Sequence, residues 1–198
     1  MRERDQFAVA HSALAGYAAA GRFGWGRPLV ATSLANELGL SPTPVREALA
    51  HLAGEGIIEH RPGRGYFAPS LTASDIIGLY DLHHQFLRWG SEEGFAPQAP
   101  TADPPTDPVL RVELVFDQLA QHGGNSAVFE AYRRVSAQLR PIRRVEAVLH
   151  NTGLDIALEI ERLRSEGGSG ELAAALYEYH AGRFALSSAL EKVMRQSV

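Results

Sequence analysis

The sequence predicts a mainly α-helical protein, with an N-terminal winged helix-turn-helix that carries a small β-hairpin wing, followed by an all-helical bundle. Three observations support this fold class. Apolar residues recur at helical spacing through most of the 198 residues, two short helical segments meet at a glycine-containing turn, and a Pro-Gly-Arg-Gly segment separates two short apolar runs. We therefore divide the chain into two domains, residues 1–70 and residues 71–198.

The composition narrows the class of protein. With 45% hydrophobic and 21% charged residues, the chain can bury the core of one large domain or two small ones. It has no cysteine, which excludes disulfides and thiolate metal sites. Polar residues interrupt the N-terminal segment before any apolar stretch reaches the length of a signal sequence or a membrane span. We therefore expect a cytoplasmic protein with no membrane partner.

The net charge of −4 divides unevenly along the chain. Residues 1–70 hold seven arginines and six acidic residues, a net charge of +1. Residues 71–198 hold twelve basic and seventeen acidic residues, a net charge of −5. This asymmetry favours a DNA contact in the first domain and a sensing or dimerising role in the second.

Three helices are predicted in the first domain. The first covers residues 6–20. The second begins with Thr32 or Ser33 as its N-cap and ends at Gly39, because glycine is common at helix C-termini. The third starts near Pro44, whose missing N–H costs nothing in a first turn. The buried stripe of the third helix comprises Val45, Ala48, Leu49 and Leu52.

The second and third helices form a helix-turn-helix, in which the second helix of the motif enters the major groove of DNA. Its N-terminal residues then face the bases, and Arg46 lies away from the buried stripe. The apolar runs Ile57-Ile58 and Tyr66-Phe67 flank the tip at residues 62–65 and predict the two strands of a hairpin. Together these patterns predict a winged helix.

Four segments of the first domain follow one another in order: GRFGWGRPL at 21–29, LANELGLS at 34–41, PTPVREALAHLAGEGII at 42–58 and GRG at 63–65. In this order they resemble the DNA-binding domain of the GntR family of bacterial transcription regulators. Two positions depart from the family pattern. Trp25 stands where the family usually has proline, and Pro42 stands where it often has a polar residue that reaches DNA. The second departure removes one possible side-chain contact.

The resemblance implies a set of contacts with double-stranded DNA. The arginine of the VREAL segment, here Arg46, faces DNA in the family, and a bidentate contact with guanine would supply about 1–3 kcal/mol of discrimination. Arg46 could instead pair with Glu47 or Glu55 at the surface, and Thr43 could act only as a helix cap. The predicted DNA-binding residues are Thr32, Ser41, Thr43, Arg46, Arg61, Arg64 and Gly65.

Helical patterns also dominate the second domain. An amphipathic helix is predicted in the segment that begins at Thr72, and a proline-rich connector at 96–108 contains five prolines and no large apolar residue. Pro141 should kink or split one of the helices that follow. These further helices are predicted at 109–122, 126–149, 153–166 and 170–195.

Three segments of this domain, LYDLHHQFL, LAQHGGN and ELAAALYEYHAGR, resemble the FadR-like subfamily. The resemblance implies a shortened FCD-type helical domain that binds a small carboxylate and dimerises. Many members hold a divalent metal through an aspartate and three histidines. The corresponding positions here are Val112, Phe116, a position near Ile156, and His180. Because His180 alone can ligate, we predict neither a metal nor another cofactor.

A ligand bound without a metal would need other polar partners, which could meet the carboxylate of a small organic acid or another metabolite. Two alternatives stay open. The RPIRR segment could be a solvent-facing helix surface, and His83 with its neighbour His84 could be surface or partly buried residues. The predicted effector-binding residues are His83, Arg88, Tyr132, Arg143 and His180.

Two functions fit these patterns. One is a homodimeric transcription repressor that reads a palindromic operator and responds to a small ligand in its second domain. The other is a DNA-binding regulator whose second domain only dimerises or binds a protein partner. An enzyme is not indicated, because no phosphate-binding loop, G-x-S-x-G or H-E-x-x-H segment occurs, and no catalytic residue is predicted.

Overall fold

The computed structural model describes residues 3–92, 103–150, 153–166 and 169–196. These residues form eight helices and a three-stranded sheet, which confirms the predicted mainly α-helical fold class. They divide into two compact units. The front unit contains the described residues up to Leu71 together with those from Lys192 onward, and the rear unit contains Thr72–Glu191. No helix among the described residues is long and apolar enough to cross a membrane.

The front unit contains three helices and a small antiparallel sheet. Its elements are α1 Glu3–Ala19, β1 Pro28–Leu29, α2 Ala31–Leu38, α3 Pro42–Gly54, β2 Glu59–Arg61 and β3 Gly65–Phe67. β3 is the central strand, and its register pairs Phe67 with Glu59 and Gly65 with Arg61. One apolar core joins these elements. Its buried residues are Ala10, Leu14, Leu29, Ala35, Val45, Ala48, Leu49, Leu52 and Ile58.

The sheet differs from the predicted hairpin in two respects. β2 begins at Glu59, after the Ile57-Ile58 run, because Ile58 belongs to the buried core that closes against α3. β1 was not predicted, since a strand of two residues has no detectable periodicity. Its residues Pro28 and Leu29 pair with β3 and make the sheet three-stranded.

Both helices of the helix-turn-helix begin earlier than predicted. α2 begins at Ala31 with Val30 as its N-cap, so Thr32 lies inside the first turn instead of capping it. α3 begins at Pro42, so Pro42 and Pro44 both occupy its first turn, where a missing N–H leaves no helical hydrogen bond unmade.

The turn between α2 and α3 depends on Gly39. This residue has φ +66°, a left-handed conformation that a residue without a Cβ adopts without strain. The next N–H, of Leu40, donates to the carbonyl oxygen of Ala35 at 2.9 Å, which closes the end of α2. Ser41 follows directly as the N-cap of α3.

Within the described residues of the rear unit, every regular element is a helix. Its helices are α4 Ala73–Glu92, α5 Pro108–His122, α6 Ser126–His150, α7 Gly153–Glu166 and most of α8 Ser169–Gln196. α6 continues through Pro141 as one helix, so the predicted split does not occur. Pro108 begins α5 instead of ending the connector, and Asp107 accepts hydrogen bonds from the first backbone N–H groups of that helix. Residues 96–102 of the predicted connector lie outside the described residues.

α4 and α5 approach each other closely at Gly90. A Cβ added at this position would lie 2.2 Å from the carbonyl oxygen of Leu119. Because that atom belongs to the backbone, it could move away only if the helix itself moved. Gly90 therefore sets the spacing between α5 and α4, the helix that carries His83 and Arg88.

Candidate nucleic-acid interface

α3 has one buried face and one exposed face. Ser41 at its N-cap and Thr43 and Arg46 on its first turns are exposed. Thr43 and Arg46 are three residues apart, so their side chains lie on the same side of the helix. We call Ser41, Thr43 and Arg46 the reading surface. The buried face consists of Pro44, Val45, Ala48, Leu49 and Leu52.

Arg46 forms no ion pair within the described parts of the chain. Of its two possible surface partners, Glu55 is occupied elsewhere, with its carboxylate 3.1 Å from Nδ1 of His51 and 3.7 Å from Nε2 of His11. Glu47 is exposed next to Arg46 but is not bonded to it. The guanidinium is therefore available to an outside partner.

The start of α3 offers few backbone donors because two of its first three residues are prolines. Thr43 supplies the one N–H among these three. Ser41 makes no side-chain cap hydrogen bond, so its hydroxyl is not used by the helix. α2 likewise starts without a side-chain cap, next to the exposed Thr32. Helix N-termini attract anions, so both starts suit contacts with DNA phosphates.

The wing turns through residues 61–64. The N–H of Arg64 donates to the carbonyl oxygen of Arg61 at 2.9 Å, and Gly63 has φ +72°. Proline followed by a glycine of positive φ is the sequence signature of a type II turn. Arg64 and Gly65 are exposed at this tip, and the Arg64 guanidinium carbon lies 5.7 Å from the centre of the Phe67 ring.

Arg61 has a different environment from Arg64. Its Nε and one terminal nitrogen donate to the same oxygen of Glu59, at 3.0 and 2.6 Å, and its guanidinium lies over the Phe67 ring. The other oxygen of Glu59 accepts from the backbone N–H of Ser70 at 3.2 Å. Arg61 therefore holds the wing through an ion pair, which leaves Arg64 as the more available cation.

Residues 19–67, which include α2, α3 and the wing, match the model of the family described as bacterial regulatory proteins, gntR family. These residues are therefore a GntR-type DNA-binding domain. The match covers every predicted DNA-binding residue. The chain thus carries the DNA-binding part of a GntR-type transcriptional regulator.

Solved structures resemble the chain over most of its length. One, described as a transcriptional regulator GntR from Rhodococcus sp. RHA1, has a TM-score of 0.73 and 21% identity and covers 92% of this chain and 97% of its own. McbR/YncC from E. coli has a TM-score of 0.65 and 14% identity, covering 92% and 96%. Lar of Listeria monocytogenes has a TM-score of 0.54 and 14% identity, covering 93% and 97%. At these identities the likeness concerns the fold. No curated protein matches the chain.

Behind the GntR-type domain, four of the five predicted effector residues meet in the interior of the rear unit. His83, Tyr132, Arg143 and His180 are all buried. The prediction that RPIRR could face solvent is wrong for Arg143, and His83 is not a surface residue. Arg88, in contrast, is exposed on α4, where its charge helps to lower the pKa of His84 after the larger effect of burial.

Arg143, His83 and His180 form a hydrogen-bonded chain whose direction fixes the proton positions. A terminal nitrogen of Arg143 lies 2.9 Å from Nε2 of His83, and Nδ1 of His83 lies 2.9 Å from Nε2 of His180. Nδ1 of His180 lies 2.6 Å from the carbonyl oxygen of Leu176. Because arginine can only donate and a carbonyl can only accept, both rings are neutral with the proton on Nδ1.

The electrostatics of the cluster agree with two neutral rings. Burial, followed by the charge of Arg143, holds the pKa of His83 well below its ordinary value. Burial lowers the pKa of His180 to about 3, against the opposing effect of its bond to Leu176. Arg143 also donates to Glu113 at 3.2 Å, so its charge is paired inside the protein.

The remaining member, Tyr132, is fixed by its own partner. Its hydroxyl donates to Asp117 Oδ1 at 2.7 Å, while its ring lies 5.3 Å from that of His83. Burial raises the pKa of Tyr132 well above its ordinary value, and burial also raises the pKa of Asp117. The cluster thus satisfies its polar groups largely from within.

These residues do not fit the metal site that the FadR-like resemblance implies. The Nε2 atoms of His83 and His180 both accept hydrogen bonds within the chain described above. Phe116, at a position where that subfamily has a ligand, places its ring 5.1 Å from that of His83. Val112 is likewise buried and apolar. The cavity beside Arg143 and Arg183 has a volume of about 20 Å³, which is room for one water molecule.

Proposed function

We propose that the protein is a homodimeric transcription repressor that acts in the cytoplasm and binds a palindromic operator through two GntR-type winged helices. The observation that carries this proposal is Arg46, exposed on the N-terminal half of α3 and without an ion pair in the described residues. An arginine placed there can donate two hydrogen bonds to O6 and N7 of a guanine in the major groove.

Within this proposal the other front residues position the protein on the DNA. Ser41, Thr43 and Thr32 lie at helix starts, where hydroxyl and N–H groups suit phosphate oxygens. Arg64 at the wing tip contacts a phosphate or the minor groove, and Gly65 permits the close approach of the backbone. Arg61 supports the wing through Glu59 and contributes less to affinity.

A palindrome requires two copies related by a two-fold axis, and we infer that the rear unit provides the dimer contact. Leu82 and Trp89 are 42% and 49% exposed, and their spacing of seven residues places them on one side of α4. Exposed apolar side chains aligned in this way favour a protein contact. Leu82→Glu should yield a monomer in sedimentation velocity and weaken operator binding. If Leu82→Glu sediments like the parent dimer and still binds the operator, the dimer contact lies elsewhere.

Control by a small organic acid has one observation in its favour and two against it. In its favour, four predicted effector residues converge on one cluster. Against it, Glu113 already pairs with Arg143, and the cavity of about 20 Å³ is far below the roughly 300–1,000 Å³ of usual ligand pockets. An open groove of about 260 Å³ lined by Phe86, Trp89 and Val128 offers more room, but it is mainly apolar.

We therefore favour a rear unit that dimerises or binds a protein partner without a small ligand. A thermal-shift screen of organic acids and other metabolites separates the two possibilities, because a ligand that binds the folded state raises its melting temperature. A rise produced by an acid and abolished in Arg143→Gln would support the ligand-controlled alternative. A rise that persists in that variant would place the ligand outside the cluster.

The DNA-binding proposal is tested with operator sequences selected from a random pool, followed by fluorescence anisotropy on the selected and on random DNA. Arg46→Ala should lose about 1–3 kcal/mol, or roughly 5- to 150-fold, on the operator and far less on random DNA. Arg133→Ala, an exposed arginine on α6, is the matched control and should change neither affinity. Equal losses of Arg46→Ala on both DNAs would show that Arg46 does not read bases.

A further inference from the structure

We propose that His11, His51 and Glu55 bind a divalent transition-metal ion of the zinc class, which ties α1 to the C-terminal end of α3. We call these three residues the α1–α3 site. It lies wholly within the front unit and is separate from the cluster of the rear unit. The sequence predicts no metal site, so this proposal departs from that expectation.

Three elements of local structure bring the ligands together. His51 lies in the last turn of α3, and Glu55 is the C-cap residue of that helix, so the two are one turn apart. His11 comes from the middle of α1, which packs against α3. The possible ligand atoms of the three residues all lie within 4.8 Å of one another.

The two histidine–glutamate distances are close to those that a tetrahedral ion requires. Bonds of about 2.0–2.1 Å place neighbouring ligand atoms about 3.3 Å apart. Nδ1 of His51 lies 3.1 Å from one oxygen of Glu55, and Nε2 of His11 lies 3.7 Å from the other. Because His51 is exposed, its ring can adjust by the small amount that a common ligand position needs.

A second observation points to a ligand at this position. Nε2 of His11 is buried and has no hydrogen-bond partner, since the nearest Glu55 oxygen at 3.7 Å is too far away. Buried polar atoms are nearly always satisfied, and one that is not requires a reason. An ion bound between His11 and Glu55 would satisfy this nitrogen directly.

The surroundings and the donor set define the kind of ion. The Phe7 ring lies 5.8 Å from that of His11 and 5.9 Å from that of His51, so it forms an apolar wall beside the ligands. Two imidazoles and one carboxylate suit zinc and its neighbours, whereas magnesium and calcium prefer oxygen ligands. The exposed side of His51 leaves access for water as the fourth ligand.

The position of the site indicates what the ion would do. His51 follows Arg46 by five residues, which is about 7.5 Å along the helix axis, so the ion lies away from the reading surface. An ion bound to both helices would stabilise the front unit and hold α3 against α1. It would therefore act on the stability of the DNA-binding domain and not on base recognition.

The test uses the full chain without a histidine tag, freed of metal by a chelator that is then removed. Titration with Co²⁺ should produce the visible absorption bands of a tetrahedral ion at one equivalent, and Zn²⁺ should displace it. Loss of a group that only hydrogen-bonds to a metal ligand weakens metal sites about 10- to 100-fold. Loss of a ligand itself in His11→Gln or His51→Gln should therefore raise the Zn²⁺ Kd by roughly 100-fold or more. His60→Gln, an exposed histidine of the same unit, should leave the Kd unchanged.

A fold control accompanies the titration. His51 is exposed, so His51→Gln should keep the far-UV circular dichroism and metal-free melting temperature of the parent chain. With Trp89→Phe as background, Trp25 fluorescence reports the front unit, and Zn²⁺ should raise its melting temperature only when all three ligands are present. The proposal is overturned if Co²⁺ gives no such bands, or if His11→Gln and His51→Gln bind Zn²⁺ as tightly as the parent.

Discussion

The buried histidine chain makes the stability of the rear unit depend on pH. His83 and His180 are neutral in the folded protein, with pKa values held below the ordinary 6.5, to about 3 for His180. In the unfolded chain both rings regain their ordinary pKa. The unfolded state therefore binds more protons below pH 6.5, and the folded state loses stability as the pH falls from there toward the folded pKa values.

The size of this loss follows from the unfolded pKa, as long as the pH stays well above the folded values. At pH 5, a ring with an unfolded pKa of 6.5 costs about 2 kcal/mol relative to pH 7, since each pKa unit corresponds to about 1.4 kcal/mol. Two such rings cost about 4 kcal/mol. That is a large part of a typical stability of about 5–15 kcal/mol.

Other titrating groups near the rings also contribute to the pH dependence of stability. Asp117 has a raised pKa, so its folded form binds protons more readily than its unfolded form and offsets part of the loss as the pH falls. The titratable and charged groups next to the rings are Tyr80, His84, Tyr132, Arg143, Tyr179 and Arg183. Glu113 acts on them through its ion pair with Arg143. A comparison of variants removes this shared background.

The assay is urea unfolding of the rear unit from pH 7.5 to pH 5. The chain has two tryptophans, so Trp25→Phe leaves Trp89 of α4 as the reporter. The free energy of unfolding should fall by several kcal/mol over this range. In His180→Gln, the slope of the free energy of unfolding against pH should be smaller by the equivalent of about one bound proton. His122→Gln, outside the chain of bonds, should keep the parent slope. Parent and His180→Gln curves that run parallel would refute the assignment of neutral buried rings.

Three further predictions concern single positions. Gly90→Ala should destabilise the rear unit by about 1–3 kcal/mol in urea unfolding, because its Cβ would meet the Leu119 carbonyl, whereas Gly78→Ala has open space and should be neutral or stabilising. Arg64→Ala should weaken binding to operator and random DNA alike. It should also reduce the slope of the logarithm of the binding constant against the logarithm of salt concentration by about 1, measured by anisotropy between low and moderate salt. Arg61→Ala should instead lower the melting temperature of the front unit, because it breaks the ion pair with Glu59. If Arg61→Ala reduces DNA affinity more than Arg64→Ala does, Arg61 is the DNA contact of the wing.

Much of the front unit could be predicted because its signals are local. Glycine at the end of α2 and prolines at the start of α3 mark the turn by their own backbone preferences. The Pro-Gly pair at the wing tip does the same. The starts of α2 and α3 lie two or three residues earlier than predicted, because Val30 caps α2 without a side-chain bond and a proline can occupy the first helical position.

The rear cluster could be predicted only in part. Periodicity places a residue on a face of its own helix, but it does not say which face a neighbouring helix covers. Arg143 therefore looked equally suited to solvent, and the structure buries it against Glu113 from α5, thirty residues away. His83 and His180 are 97 residues apart, and only their three-dimensional packing shows the bond between them. For the same reason, periodicity does not show that His11 and Glu55 of the α1–α3 site lie close together.

We propose that Arg46 reads a guanine in each half of a palindromic operator. The most direct measurement replaces each operator guanine in turn by 7-deazaguanine, which lacks the N7 acceptor, and compares the affinities of the parent and Arg46→Ala. We predict that one position in each half-site weakens the parent protein but leaves Arg46→Ala unaffected. Equal weakening of both proteins at every position would contradict the claim.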